Sequence, residues 1–190
     1  MRYDSDHKAK TRERIETVAS ARFRREGIDA VGIASLMESA GLTHGGFYAH
    51  FKSKDALIAA AVALGFEQAA QRLRNGIARH PGRSKPVAFA KAYLNEHHRN
   101  EPDAGCVAAA LGAEIGRCDE TVRRVFTEQL DALIRSAMPD DGTPAERRDT
   151  ALATVALSVG ALLLARTVDD PALSKQLLTA GVKAVDRMAG

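Results

Sequence analysis

The run Ile33-Ala34-Ser35-Leu36-Met37-Glu38-Ser39-Ala40-Gly41-Leu42-Thr43-His44-Gly45-Gly46-Phe47-Tyr48-Ala49-His50-Phe51-Lys52-Ser53-Lys54 decides the fold class of this 190-residue chain. Ile33, Leu36, Met37 and Ala40 recur on one face of a short helix, Ile33 to Ala40. Gly32 stands at its N-cap, a weaker choice than Ser or Thr. Gly41 breaks the chain and Leu42 supplies an apolar plug. Thr43 is a good N-cap for a next helix, His44 to His50, and Ser53 caps the one that starts near Lys54. Two short helices with apolar inner faces, joined by a Gly-containing turn, form the helix-turn-helix pattern.

In that pattern the second helix lies in the DNA major groove, so its outer face should be small or polar. Here the outer residues are His44, Gly45, Gly46, Tyr48 and His50. Each Gly costs about 1 kcal/mol in a helix interior, a cost that makes sense where missing side chains let the backbone approach DNA. The Thr43 hydroxyl, Tyr48, His50 and Lys54 are assigned to phosphates, which position a protein without reading sequence. Only His44, with the backbone of Gly45 and Gly46, is placed for base edges. No Arg or Asn sits there to make a bidentate base contact, so recognition is expected to draw on the first helix or on DNA shape. The competing reading is a β-hairpin turning at Gly45-Gly46. Helical periodicity on both sides argues against it.

Working outward, the first helix reads His7 to Glu26 and ends at Gly27, with Ile15, Val18, Ala19 and Phe23 at helical spacing. A fourth helix reads Lys54 to Arg79, a fifth Lys85 to Arg99, a sixth Gly105 to Gly116, and a seventh from the Asp119 cap to Met138. Two long helices follow, Ala145 to Val168 and Pro171 to Met188. Alanine is abundant and Trp absent, and no strand is convincing. The expectation is an all-α chain of about nine helices. A three-helix head, residues 1–53, carries the helix-turn-helix, and a larger helical body spans residues 54–190. Net charge is +3. Residues 1–54 hold 10 Lys/Arg against 7 Asp/Glu, and the rest 17 against 17, so the positive excess sits in the head, as phosphate binding requires. No apolar leader is visible, and the longest apolar stretch, Ala151 to Ala165, is shorter than the roughly 20 residues of a membrane span. The chain reads as cytoplasmic, with free thiols.

The run Gly41-Leu42-Thr43-His44-Gly45-Gly46-Phe47-Tyr48-Ala49-His50-Phe51-Lys52-Ser53-Lys54-Asp55-Ala56-Leu57 resembles the signature of the Tet repressor family of transcriptional regulators. The likeness is specific over about residues 10–60. Gly32 and Met37 depart from it, standing where the family usually has Thr and Ala. The resemblance implies a homodimer on a pseudo-palindromic DNA operator, repression, and dimer contacts from the last two helices. Leu152, Val155, Val159, Leu162 and Leu163, then Leu177, Leu178, Val182 and Val185, form their apolar stripes. It also implies a small-molecule effector pocket among the middle helices. Candidate lining residues are Phe66, Phe89, Tyr93, Cys106, Val107, Leu111, Ile115 and Phe126, mostly apolar, which suggests a hydrophobic or aromatic effector.

Cys106 opens a helix, where a thiol gains thiolate character, and His97, His98 and Arg99 are close in sequence. An alternative function is therefore a thiol-based sensor of oxidants or electrophiles, with Cys118 as a resolving partner. A non-DNA helical binding protein is the other alternative. His97-His98 is no metal pair, because adjacent residues do not share a helix face and a third ligand is missing. Phosphate-binding Gly loops, H-E-x-x-H and G-x-S-x-G are absent, and Glu114 and Asp119 read as surface or capping residues. No enzyme and no cofactor is expected.

Overall fold

The computed structural model describes residues 2–189, with side chains from residue 7. Nine α-helices are present among them: α1 Arg2–Glu26, α2 Ile33–Ser39, α3 Lys54–Ile77, α4 Lys85–Tyr93, α5 Glu96–Asn100, α6 Val107–Ile115, α7 Glu120–Ser136, α8 Pro144–Thr167 and α9 Pro171–Ala189. Two 3-10 segments, His44–Ala49 and Pro102–Ala104, complete the helical set. The described residues contain no strand. The chain is all-α, and the hairpin alternative at Gly45-Gly46 falls away because that segment is helical.

Local chemistry explains the boundaries. Gly27 (φ +90°) and Gly41 (φ +67°) take left-handed backbone that favours glycine, and each turns the chain after a helix. The Ser53 side chain accepts from the Ala56 N–H at the start of α3, and Asp119 accepts from the Val122 N–H at the start of α7. Thr143 and Glu146 form a reciprocal capping box, with Pro144 at the first position of α8. Two boundaries differ from expectation. The fifth helix is not continuous over Lys85–Arg99: it stops at Tyr93, and the Asn95 side chain caps a new short helix by accepting from the His98 N–H. The third helix is a 3-10 segment, with Gly46 N–H donating to Thr43 O at 3.1 Å and His50 N–H to Phe47 O at 2.9 Å. A glycine pair gives too little helical propensity to complete an α-helix there.

The apolar core is continuous. Ile15, Ala19 and Phe23 of α1 and Leu36 and Met37 of α2 pack with Phe47, Phe51 and Leu57. The same cluster extends through Val62, Phe89, Leu111, Ile115, Val155 and Leu162 to Leu178. The α8–α9 pair packs closely at Gly181, where an added Cβ would lie 2.6 Å from Leu94 Cδ1 and 3.1 Å from Ala161 Cβ. A Cβ at Gly112 of α6 would meet nothing within 4 Å. Urea unfolding should therefore show Gly181→Ala destabilised by about 1–3 kcal/mol and Gly112→Ala stabilised by up to about 1 kcal/mol. Equal effects at the two sites would contradict this packing.

Candidate nucleic-acid interface and effector cavity

The His44–Ala49 segment is pinned from behind by Phe47, fully buried. Its ring stacks on Phe51 (centroids 5.8 Å apart) and meets Tyr48 edge-on at 5.1 Å. With Phe47 turned inward, Thr43, His44, Gly45 and Tyr48 face solvent, and Tyr48 is 65% exposed. The Thr43 hydroxyl makes no capping hydrogen bond, which leaves it free for an outside acceptor. A Cβ on Gly45 would meet nothing within 4 Å, and one on Gly46 would make only ordinary contacts of 3.7 Å. The fold itself does not require glycine at either position.

Two of the expected contact residues are turned partly inward. Lys54 donates from Nζ to the Ile28 carbonyl at 2.9 Å, so it ties α3 to the α1–α2 connection. His50 is half-buried, and its Nδ1 has no partner. Burial, followed by Lys8, Arg12 and His7, holds this imidazole below its ordinary range. Sequence reading missed the supports around these residues. Arg12 donates from Nη1 to the His50 carbonyl at 2.7 Å, and its guanidinium lies 4.3 Å from the Phe51 ring centroid. The Glu114 carboxylate is no surface group: it accepts from the Ile28 N–H at 2.6 Å. Exposed Lys52 adds a further cation beside the turn.

A cavity of about 790 Å³ opens between α3, the α4–α5 corner, the 104–106 segment and α7. Of the expected lining residues it includes Phe66, Tyr93 and Cys106. Phe89, Val107, Leu111 and Ile115 are core residues instead, and Phe126 stands behind Phe66 with ring centroids 5.5 Å apart. Composition could not separate wall from core here, because both draw on the same apolar residues. The wall also carries cations that the sequence reading passed over: Arg72, Arg74, Arg79 and Lys91, against the one carboxylate of Glu101.

One wall of the cavity is wired to α1. The break at Asn95 aims His98 so that both ring nitrogens are engaged: Nδ1 with the Tyr93 carbonyl at 2.7 Å, and Nε2 with the Cys106 N–H at 2.9 Å. Nε2 accepts, so Nδ1 carries the proton and the ring is neutral. Burial, the largest cause, lowers its pKa to about 4. The carbonyl of Gly105 accepts from Nη1 of Arg24 at 2.8 Å. Arg24 lies on α1, 5% exposed, and also binds the Ser20 carbonyl and Gln68. Arg25 pairs with Asp103 beside it. Cys106 is buried at the N-cap of α6, and Cys118 lies beyond its other end. Nine helical residues separate the two by about 14 Å, too far for a disulfide without rearrangement.

The bacterial regulatory protein family model, tetR family, matches residues 15–61. The HTH-type transcriptional repressor NemR of Escherichia coli K12 is 26% identical over 126 residues, which is 65% of this chain and 63% of that protein. The chain thus matches less than two thirds of that relative's length. The crystal structure of reduced E. coli NemR superposes with a TM-score of 0.73 at 20% identity, covering 94% of this chain and 96% of that one. A TetR transcriptional regulator from Chloroflexus aurantiacus gives 0.75 at 23% identity, covering 95% and 96%. These structural likenesses establish the fold.

Gly45→Ala should leave thermal unfolding unchanged or raise it, because no atom of the chain is in the way. The same variant should weaken DNA binding in a fluorescence-anisotropy titration. Unchanged affinity would remove the argument from the glycine pair. For His98 the unfolded state binds the proton more readily than the folded state. Stability should therefore fall as pH drops from about 6.5 towards about 4. His98→Gln should flatten that slope in denaturation measured across the pH series.

Proposed function

Because the chain belongs, through residues 15–61, to the tetR family of bacterial regulatory proteins, we propose that it is a cytoplasmic, non-enzymatic transcriptional repressor released from a DNA operator by a small molecule. The observation that carries this reading is the solvent-facing turn Thr43–Tyr48, held rigid by Phe47 and open at Gly45. Thr43, Tyr48 and Lys52 would take phosphates, while His44 and the Gly45-Gly46 backbone face the base edges. Cations on α1 (Lys8 and Arg12) would extend the footprint, since most protein–DNA hydrogen bonds go to the phosphodiester backbone. Functionally the chain divides near residues 53/54 into a DNA-binding head and an effector-binding body.

The homodimer would form on α8 and α9. The expected stripes divide into two faces. Val155, Leu162, Leu178 and Val185 are buried within the chain, while Leu152 and Leu163 point outward. Leu152, Ala156, Val159 and Leu163 line up on α8, and Leu173, Leu177, Ala180, Ala184 and Met188 line up on α9, at helical spacing. α8 is long and apolar enough to cross a membrane by length and composition. Its outward stripe continues onto α9, which suits a four-helix contact with a second copy.

Release would run through the wired wall. An occupant of the cavity that shifts Tyr93 or Cys106 strains the His98 bridge, and Gly105 then pulls on Arg24 and α1. The reading of Cys106 as a redox sensor has its thiol in this wall, but Cys118 is misplaced to resolve it.

Electrophoretic mobility shift with the DNA upstream of the chain's own gene tests the assignment. A shift that weakens steeply with salt is expected, with a pseudo-palindromic footprint. No shift at any salt would sink the regulator reading in favour of a non-DNA helical binding protein. Tyr48→Phe should weaken binding to all sequences alike, and a changed preferred site would contradict its phosphate role. Leu163→Lys should give monomers in sedimentation and lose the shift.

A further inference from the structure

Three guanidiniums gather at the Ala104–Cys106 wall, Arg72 on the cavity side and Arg24 and Arg166 behind it, and none forms an ion pair among the described residues. Arg24 binds the carbonyls of Ser20 and Gly105 and the Gln68 side chain. Arg72 donates to the Ala104 carbonyl. Arg166 donates to the carbonyls of Arg99 and His98 at 3.2 and 2.5 Å, and its Nη1 is buried without a partner. Every one of these acceptors is neutral. The acid nearest to hand, Asp103, pairs with Arg25, and the wall's one carboxylate, Glu101, is exposed beside His97. Arg24 feels the others: burial first, then Arg72, with Arg166 adding to it, brings its pKa down to about 10, against the opposing pull of the Asp103 carboxylate and the Cys106 thiol. A desolvated charge without an opposite partner is costly to keep, a cost that falls on Arg24 and Arg166, since Arg72 is exposed.

A second, independent observation points the same way. Tyr93 lines the cavity, the residue 2% exposed, and its buried hydroxyl has the Cys106 thiol as a neighbour but no hydrogen-bond partner of good geometry. Burial and the neighbouring Cys106 hold it protonated, well above the ordinary phenol range, so it has a proton to donate. The rest of the cavity is apolar along Phe66, Leu73, Ile77 and Leu133. A hydrophobic or aromatic effector without an acidic group would leave the hydroxyl and the cations unanswered.

We infer that the effector is an organic acid: an ionised carboxylate seated on the Tyr93 hydroxyl and the Arg72 guanidinium, carried on an apolar body that lies along Phe66, Leu73, Ile77 and Leu133. Arg24 and Arg166 supply charge from behind the wall. A carboxylate there gains charge-assisted hydrogen bonds and relieves the repulsion that Arg24 feels. The inference rests on the effector-cavity reading above and names the ligand class for that site.

The test is calorimetric titration and thermal shift of the full chain with octanoate, decanoate and phenylacetate, each beside its primary alcohol, at concentrations below micelle formation. The acids should bind and raise the melting temperature, with the alcohols weaker by roughly tenfold or more. Tyr93→Phe, which removes a single oxygen and should keep the fold, should lower acid affinity by roughly tenfold and leave alcohol affinity unchanged. Arg72→Gln should do the same. Alcohols binding as well as acids, or no acid binding at millimolar concentration, would overturn the inference. Operator shifts run in parallel separate the two readings. An acid that binds through Tyr93 in a chain that shifts no DNA overturns the regulator and leaves the acid site standing. A neutral compound that alone releases DNA does the reverse.

Discussion

The buried guanidinium of Arg24 holds together parts of the chain that sequence keeps far apart. From α1 it reaches Gln68 on α3 and the Gly105 carbonyl ahead of α6. A guanidinium is suited to this, because its fixed fork satisfies several acceptors at once and stays charged even when partly desolvated. The helix that carries it also carries Ile15, Ala19 and Phe23, which pack in the same core as Phe47 of the solvent-facing turn. Arg24 thus ties the helix beneath that turn to the cavity wall. Arg25 with Asp103, and Glu114 with the Ile28 N–H, repeat the connection on either side of it.

The core joins the parts that these links connect. No apolar gap separates the head from the body: Leu57, Ile58 and Val62 of α3 belong to the same buried cluster as Phe47 and Leu111. Close-packed interiors have little room to deform. On its core side Cys106 therefore has little room to move, whereas its other side faces the cavity. The joints at Gly27 and Gly41, both in left-handed backbone, are where the chain turns between rigid pieces.

Much of the head could be read from residue order alone. Gly27, Gly41 and Ser53 act on their immediate neighbours, so their signals are local, and Phe47 and Phe51 declare their inward face by spacing. The body was legible only as a set of helices. The corner at Leu94-Asn95 was missed because the apolar pattern continues through it, although an Asn followed by Glu is itself a helix-start signal. Glu114 looked like a surface acid because its partner, the Ile28 N–H, lies 86 residues away. Lys54 looked free for the same kind of reason. The cavity was the least legible part. Apolar candidates such as Phe89 and Ile115 proved to be core, whereas the cations that give the site its character come from helices whose pairing no periodicity reveals.

The corner at Asn95 has a consequence for how chains of this architecture can diverge. Each residue added to a helix turns everything after it by about 100°. Between the Asn95 cap and the Cys106 N–H the chain must deliver the His98 ring to two fixed points, the Tyr93 carbonyl and the Cys106 amide. One residue more or fewer between Asn95 and His98 would swing the imidazole away from both. Along the facing surfaces of α3 and α7, by contrast, side chains can be exchanged singly without disturbing that span. The lining of the cavity can therefore drift by substitution, while the three-residue step from Asn95 to His98 behaves as a ruler of fixed length.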